Sequence, residues 1–313
     1  MLEHGGRLRE AARRWGIPLT EWLDLSTGIA PWPYPVPPMP PDIWQRLPED
    51  DDGLEGAARD YYRAAHLLAL PGSQAAIQAL PHLSPPGRVA LPAPLYAEHP
   101  AAWQTAGHTL VDWNEPSDYA VLCNPNNPTG QRFSRNELLD RARNVRLLVV
   151  DEAFLDAEPQ ESIAGMGNIA ENIVILRSLG KFFGLAGARV GFAIATPDLL
   201  VRLAKMLGPW AVSHPARWAA RQALADHAWQ AAQRARLLAA AARLADVLSG
   251  LGAPMGTALF RYVITPHAAA LHEALARQGI LVRTFDNPPA LRFGLPATEA
   301  DWQRLTTSLR SLK

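Results

Sequence analysis

The sequence predicts an α/β protein: a large domain built on a mostly parallel sheet, followed by a smaller α+β domain. Three observations lead there. From about Leu54 to Pro209, short apolar runs alternate with amphipathic stretches, the pattern of strands and helices that cover a sheet on both faces. After Pro215 the pattern changes to a long Ala- and Arg-rich helix and then to a shorter mixture of strands and helices. A chain of 313 residues that is 48% hydrophobic can bury a large core, more readily as two packed domains than as one.

Taken in order, the opening MLEHGGRLREAARRWG places charges where a signal peptide needs an apolar block. The stretch from Pro31 to Pro48 is crowded with prolines, which fix φ and remove donors, so it should run as an extended arm. Strands are expected at Arg88 to Leu91, Thr109 to Trp113, Ala120 to Cys123, Leu147 to Val150, Ile173 to Leu176 and Val190 to Ala195, with helices such as Ser73 to Leu80 and Asn136 to Arg143 between them. Ligands of such a sheet belong at the carboxyl ends of its strands. The long helix should end near Ser249-Gly250, where glycine suits a C-cap. Beyond it Leu259 to Val263 and Ala290 to Phe293 read as strands, and His267 to Gln278 and Ala300 to Leu312 as helices. The expected division is an N-terminal flap and arm over 1–48 that packs with the small domain, a large domain over 49–214, and a small C-terminal domain over 215–313.

Bulk properties narrow the function. Thirty basic and thirty acidic residues cancel, so no strong field favours nucleic acid or a membrane surface, and an anionic ligand must be held by local groups. A single cysteine, Cys123, excludes an internal disulfide and fits a reducing cytoplasm. The most apolar stretches are too short or too often interrupted by arginine to span a bilayer. The nine histidines and one cysteine show no metal-ligand spacing, so no metal is expected.

Chemistry is carried by an ordered series of loops. Pro71-Gly72-Ser73-Gln74 leads into a helix whose free N–H groups can take an anion, although alone it reads more readily as an ordinary turn capped by Ser73. Tyr96, after one strand, can lie flat on a heteroaromatic ring or simply pack, and His99 can be a structural histidine. The strand ending at Cys123 delivers Asn124-Pro125-Asn126-Asn127-Pro128-Thr129-Gly130. Turn chemistry explains part of that composition, but two X-Pro steps directly after a buried strand favour function, with Asn127 as donor to a phenolate oxygen. Asp151 ends the apolar strand Leu147 to Val150. A buried carboxylate is costly unless paired, and a protonated pyridine nitrogen would pair it. Ile173 to Leu176 leads to Arg177-Ser178-Leu179-Gly180-Lys181, where Lys181 can form a Schiff base, and Arg189 follows.

This set of motifs, in this order and over most of the chain, resembles the fold-type I pyridoxal 5'-phosphate (PLP) enzymes of the class I/II aminotransferase superfamily, whose fold is that of aspartate aminotransferase. The resemblance implies that Lys181 holds PLP covalently, Asp151 binds the pyridine nitrogen, Asn127 the ring oxygen, and Tyr96 the ring face. It implies that Gly72, Ser73, Gln74, Ser178 and Arg189 hold the phosphate, that His99 supports Asp151, and that Arg292 in Leu291-Arg292-Phe293-Gly294 takes a substrate carboxylate bidentately. Within the superfamily the chain is most similar to the threonine-phosphate decarboxylases of cobalamin biosynthesis, relatives of histidinol-phosphate aminotransferase. That likeness rests on His4-Gly5-Gly6, on Leu23-Asp24-Leu25-Ser26-Thr27-Gly28-Ile29, on Gly72 to Gln78, on Phe154, and on Gly279 to Phe285. It implies a small phosphorylated amino acid as substrate, held with help from His4, Gly5, Gly28, Asn127 and Arg283, and a homodimer. For His4 the alternative is an unordered terminus.

Three positions depart from the pattern: Leu47, where relatives often have a tyrosine that reaches the partner subunit; Ala30, usually asparagine; and Phe154, which lacks the hydroxyl many aminotransferases carry. The expected reaction is decarboxylation of L-threonine O-3-phosphate, with transamination as the alternative. An acyl-transferase reading of Ser178-Leu179-Gly180-Lys181 lacks its companion motifs. Gly165-Met166-Gly167-Asn168-Ile169-Ala170 spells G-x-G-x-x-A, but a strand follows it rather than a helix. A non-enzymatic scaffold would leave the joint presence of Asn127, Asp151, Lys181 and Arg189 without a reason.

Overall fold

The computed structural model describes residues 4–166 and 170–312, so the middle of the G-x-G-x-x-A stretch lies outside the described residues. The chain forms two compact units. The larger comprises Pro33–Asn127 and Arg132–Arg234; the smaller takes the chain up to Trp32, Pro128–Gln131, and everything from Ala235 onward.

The larger unit is built on a seven-stranded sheet in the order Leu67–Leu70, Gly191–Ile194, Ile173–Ser178, Leu147–Asp151, Tyr119–Cys123, Arg88–Leu91, Thr109–Asp112. All neighbours are parallel except that Gly191–Ile194 runs against both of its partners. Central strands such as Leu147–Asp151 are buried along their whole length, which is why they read as continuous apolar runs rather than alternating ones. One face is packed by Ile77, Leu80, Trp103, Leu200 and Leu203 against Val121, Val149 and Val174. The expected mostly parallel α/β architecture is therefore the observed one.

Two local expectations differ. The strand Leu67–Leu70 is not apparent in the pattern, because four residues without alternation continue an apolar helix end. The single long helix after Pro215 is two, His214–Ala225 and His227–Leu248. Asp226 breaks it: its backbone leaves the helical region at ψ 79°, and its carboxylate accepts from Trp229 N at 2.9 Å, a local side-chain to backbone bond that competes with helix continuation.

A buried ion triad fixes the loop after Leu147–Asp151. Arg177 donates to Glu152 at 2.6 Å and to Asp156 at 2.7 Å, with all three side chains essentially inaccessible. Burial pushes the Glu152 carboxyl up, against Arg177, Ser162 and the Ile163 amide, which favour its charged form. Unpaired, such charges would be prohibitive.

In the smaller unit a four-stranded antiparallel sheet runs Arg283–Asp286, Pro289–Gly294, Phe260–Ile264, Met255–Thr257. The N-terminal segment is sewn to it: Leu23–Asp24 pairs with Ile280–Leu281, and Gly294 N donates to Leu25 O at 2.7 Å. Trp22, Ala11 and Ala276 form a small core with Leu8, Trp15 and Ile17 around them. No helix among the described residues is long and apolar enough to cross a membrane.

Candidate active site

At the carboxyl ends of the parallel strands the larger unit gathers the loops singled out in the sequence. Asp151 terminates its strand at 5% exposure. Its Oδ2 faces His99 Nε2 at 3.0 Å, and its Oδ1 accepts from Ala153 N at 3.0 Å. His99 sits in the helix Glu98–Thr105 and is itself buried. These bonds hold the carboxylate in one orientation at a strand tip.

The asparagine-rich turn divides its labour. Asn124 exchanges two 3.0 Å bonds with the Phe133 backbone, and Asn126 donates to Pro94 O at 2.9 Å. Both are buried and serve the turn, whereas Asn127 is half-exposed. Turn chemistry thus accounts for two of the three asparagines.

Lys181 follows Ile173–Ser178, with its Nζ 5.4 Å from the centre of the Phe154 ring. Ser178 Oγ accepts from Gly180 N at 3.2 Å and so shapes the turn that presents the lysine.

Gly72, with φ 78°, precedes the helix Ser73–Ala79, and Ser73 makes no cap hydrogen bond; the ordinary capped helix is not what is built. A side chain at position 72 would put its Cβ 2.6 Å from Arg189 Nη2, and one at position 191 would meet Ser73 N at 2.5 Å. Glycine at both places lets the turn, the guanidinium and the end of the neighbouring strand approach one another closely. Arg189 itself holds φ 55°.

Tyr96 and Gln74 are linked, since the phenol donates to Gln74 Oε1 at 3.4 Å and Gln74 Nε2 donates to Glu98 at 2.8 Å. Burial, with the carboxylates of Glu98 and Asp151, pushes the Tyr96 hydroxyl up to about 12. The phenol therefore stays protonated at neutral pH. Glu98 was not singled out in the sequence; only its spacing from Tyr96 could have pointed to it.

Cys123, His99 and Asp151 bring their donor atoms within 4.8 Å of one another. Sequence spacing concealed this cluster because three separate elements supply it. Burial and the neighbouring Asp151 push the Cys123 thiol well up.

In the smaller unit, Arg292 is buried and donates to Ser26 O at 3.1 Å. Ser26 Oγ accepts from Gly6 N at 2.7 Å and donates to Asp24 at 2.6 Å. Ser26 is thus the hinge of this cluster, although it was read only as part of a motif. Gly28 and Ala30 are buried nearby in sequence. Arg283 lies directly opposite Arg292 on the neighbouring strand. A cavity of about 480 Å³ is lined by His4, Gly5, Arg283 and Ser26, among others.

The larger unit's donor set fits PLP. A fixed buried carboxylate suits the ring nitrogen, Tyr96 offers a flat ring, and the Gly72 turn closed against the Arg189 guanidinium, where a Cβ at position 72 would intrude, suits a phosphate.

An ionisation test follows from the Tyr96–Gln74–Glu98 chain. Because Glu98 is the largest charge acting on the phenol, after burial, Glu98→Gln is expected to lower the Tyr96 ionisation point from about 12 while leaving it above the usual range. The raised value stabilises the fold fully below the unfolded phenol's pKa, and that contribution is lost as pH rises towards the folded value. Ultraviolet titration of Glu98→Gln against wild type, each corrected with a Tyr96→Phe background, reads the shift; an unchanged or raised value would contradict it.

Comparison with known proteins places the chain in a family. The family model for aminotransferase class I and II matches residues 114–309. A threonine-phosphate decarboxylase from Pseudomonas aeruginosa is 53% identical over 100% of this chain and 98% of that protein. Another from Sinorhizobium sp is 42% identical over 99% of this chain and 98% of that protein. The solved histidinol-phosphate aminotransferase of Sinorhizobium meliloti, in complex with PLP, superposes with a TM-score of 0.85 over 100% of this chain and 96% of that one, at 20% identity. The family match and the full-length likeness agree: the chain belongs to the aminotransferase class I and II family and, within it, to the group of the threonine-phosphate decarboxylases.

Proposed function

We propose that the protein is a PLP-dependent lyase that decarboxylates L-threonine O-3-phosphate to aminopropanol phosphate, a reaction of cobalamin biosynthesis in the cytoplasm. The observation that carries this reading is the 53% identity along the whole chain to a threonine-phosphate decarboxylase, together with a larger unit whose donors suit the coenzyme.

When bound, PLP supplies an electron-accepting ring for the pair left behind by the departing carboxylate. Asp151, oriented by His99 and Ala153 N, holds the proton on the ring nitrogen. Asn127 would donate to the ring oxygen, and Tyr96 would pack on the ring. Gly72, Ser73, Gln74, Ser178 and Arg189 hold the coenzyme phosphate. Lys181 Nζ would be the covalent anchor of the coenzyme and the amine that would move a proton at the reacting carbon of the substrate.

Arg292 takes the substrate carboxylate, and Arg283 with His4, Gly5 and Gly28 takes its phosphate. Two guanidinium groups directly opposite each other on adjacent strands repel. A dianionic substrate relieves that repulsion, which favours a phosphorylated amino acid over a neutral one.

The same reading includes a homodimer. Trp44, Leu47 and Trp210 expose 69%, 59% and 59% of their surfaces. The turn carrying Trp44 and Leu47 is tied to the start of helix His214–Ala225, where His214 Nδ1 meets Arg46 O at 3.3 Å, and Trp210 immediately precedes that helix. Large apolar groups at that density mark an association surface.

Two measurements test this function. The PLP-loaded protein given threonine phosphate is expected to release carbon dioxide and aminopropanol phosphate in equal amounts, and Lys181→Ala to lose turnover by about three orders of magnitude or more; pyridoxamine phosphate accumulating without carbon dioxide would favour transamination. In sedimentation velocity, wild type is expected to run as a dimer and Trp44→Glu/Leu47→Glu as a monomer; a monomeric wild type would remove the dimer from the proposal.

A further inference from the structure

The larger unit holds a second cavity, of about 550 Å³, among residues that take no part in the coenzyme cradle. Helices Leu54–Tyr62 and His214–Ala225 run side by side, because Arg217 in the first turns of one binds Asp52 and Glu55 at the start of the other, at 2.7 Å each. Their opposite ends carry Arg63 and His227, which line the cavity. It thus lies at the far end of these helices from the exposed Trp44, Leu47 and Trp210.

The cavity is lined by cations that its own walls leave uncompensated. Arg135 Nη2 donates to the carbonyls of Gln160 and Ser162, at 2.9 and 3.0 Å. Arg234 donates to Asp156 O at 3.1 Å and to Tyr61 OH at 3.3 Å. All four acceptors are neutral. Among the described residues neither of these arginines, nor Arg63, takes part in an ion pair, whereas Arg177 at the cavity floor is matched by Glu152 and Asp156. Arg177 is 1% exposed, and its Nε still has no hydrogen-bond partner. Against Arg63, Arg135 and Arg234 the lining sets one carboxylate, Asp60.

Several guanidinium forks around one polar cavity match the oxygens of a phosphate or pyrophosphate group, which accept bidentate bonds. Tyr61, whose hydroxyl is already held by Arg234, offers a flat wall for the rest of such a ligand. Its ring packs against Phe183 at 5.5 Å between centroids, so an occupant would sit one aromatic layer from the loop that carries Lys181.

We propose that this cavity is a binding site for a small anion of the phosphate-ester or pyrophosphate class, distinct from both the coenzyme cradle and the cations of the smaller unit. Inorganic pyrophosphate is the probe, titrated calorimetrically into the full-length, PLP-loaded enzyme at constant ionic strength. Arg135 and Arg63 are exposed, so replacing either does not open the core. A saturable binding event is expected that weakens about tenfold or more in Arg135→Ala and in Arg63→Ala, the loss of one charge-assisted hydrogen bond, and that Arg135→Lys partly restores. The coenzyme absorbance and the decarboxylation rate without pyrophosphate should match wild type in all three variants. The proposal is overturned if wild type shows no saturable binding, or if every pyrophosphate event is insensitive to both alanine substitutions, as binding confined to the smaller unit's cations would be.

Discussion

A carboxylate buried at the tip of an apolar strand is the constraint on which the larger unit turns. Leu147–Asp151 carries four aliphatic residues into the centre of the sheet and then an acid, at 5% exposure. Left unpaired, that charge would cost several kcal/mol. His99 and Ala153 N each meet one of its oxygens, at 3.0 Å, which fixes its direction. Fixing His99 in turn requires the helix Glu98–Thr105, and hence the Tyr96 loop that leads into it. Much of the site's geometry thus follows from orienting one acid.

The parallel strands are the means by which distant segments meet. Asn127, Asp151 and Lys181 follow three adjacent strands, Tyr119–Cys123, Leu147–Asp151 and Ile173–Ser178, and one sheet end therefore collects them without long loops. The lone reversed strand, Gly191–Ile194, brings Gly191 against the Gly72–Ser73 turn. Close backbone approach there leaves no room for a side chain, and the same closeness sets Arg189 beside the turn. In the smaller unit, Arg283 and Arg292 are register partners on adjacent strands.

The sequence made the sheet legible because buried parallel strands are short unbroken apolar runs, and their boundaries fell within a residue or two for Arg88–Leu91, Leu147–Asp151 and Ile173–Ser178. It concealed Leu67–Leu70, where period and length gave no contrast, and the break at Asp226, where one capping side chain overrides a continuous helical pattern. The loop residues could be ordered by motif, but their division of labour could not: which asparagines brace the turn depends on which side chains meet Phe133 and Pro94. Ser26 and Glu98 escaped notice because each acts through a neighbour. The cavity beside Arg135 and Arg234 draws on five separate segments, so no spacing announces it.

The central claim is that Asp151 keeps a proton on the nitrogen of the coenzyme ring. Nitrogen-15 NMR of the enzyme reconstituted with PLP labelled at that nitrogen measures the proton directly. The expected result is the chemical shift of a protonated pyridinium at neutral pH in wild type, moving to that of a neutral pyridine in Asp151→Asn with Lys181 still binding the coenzyme. A neutral ring nitrogen in wild type, or a protonated one that persists in Asp151→Asn, would contradict the account.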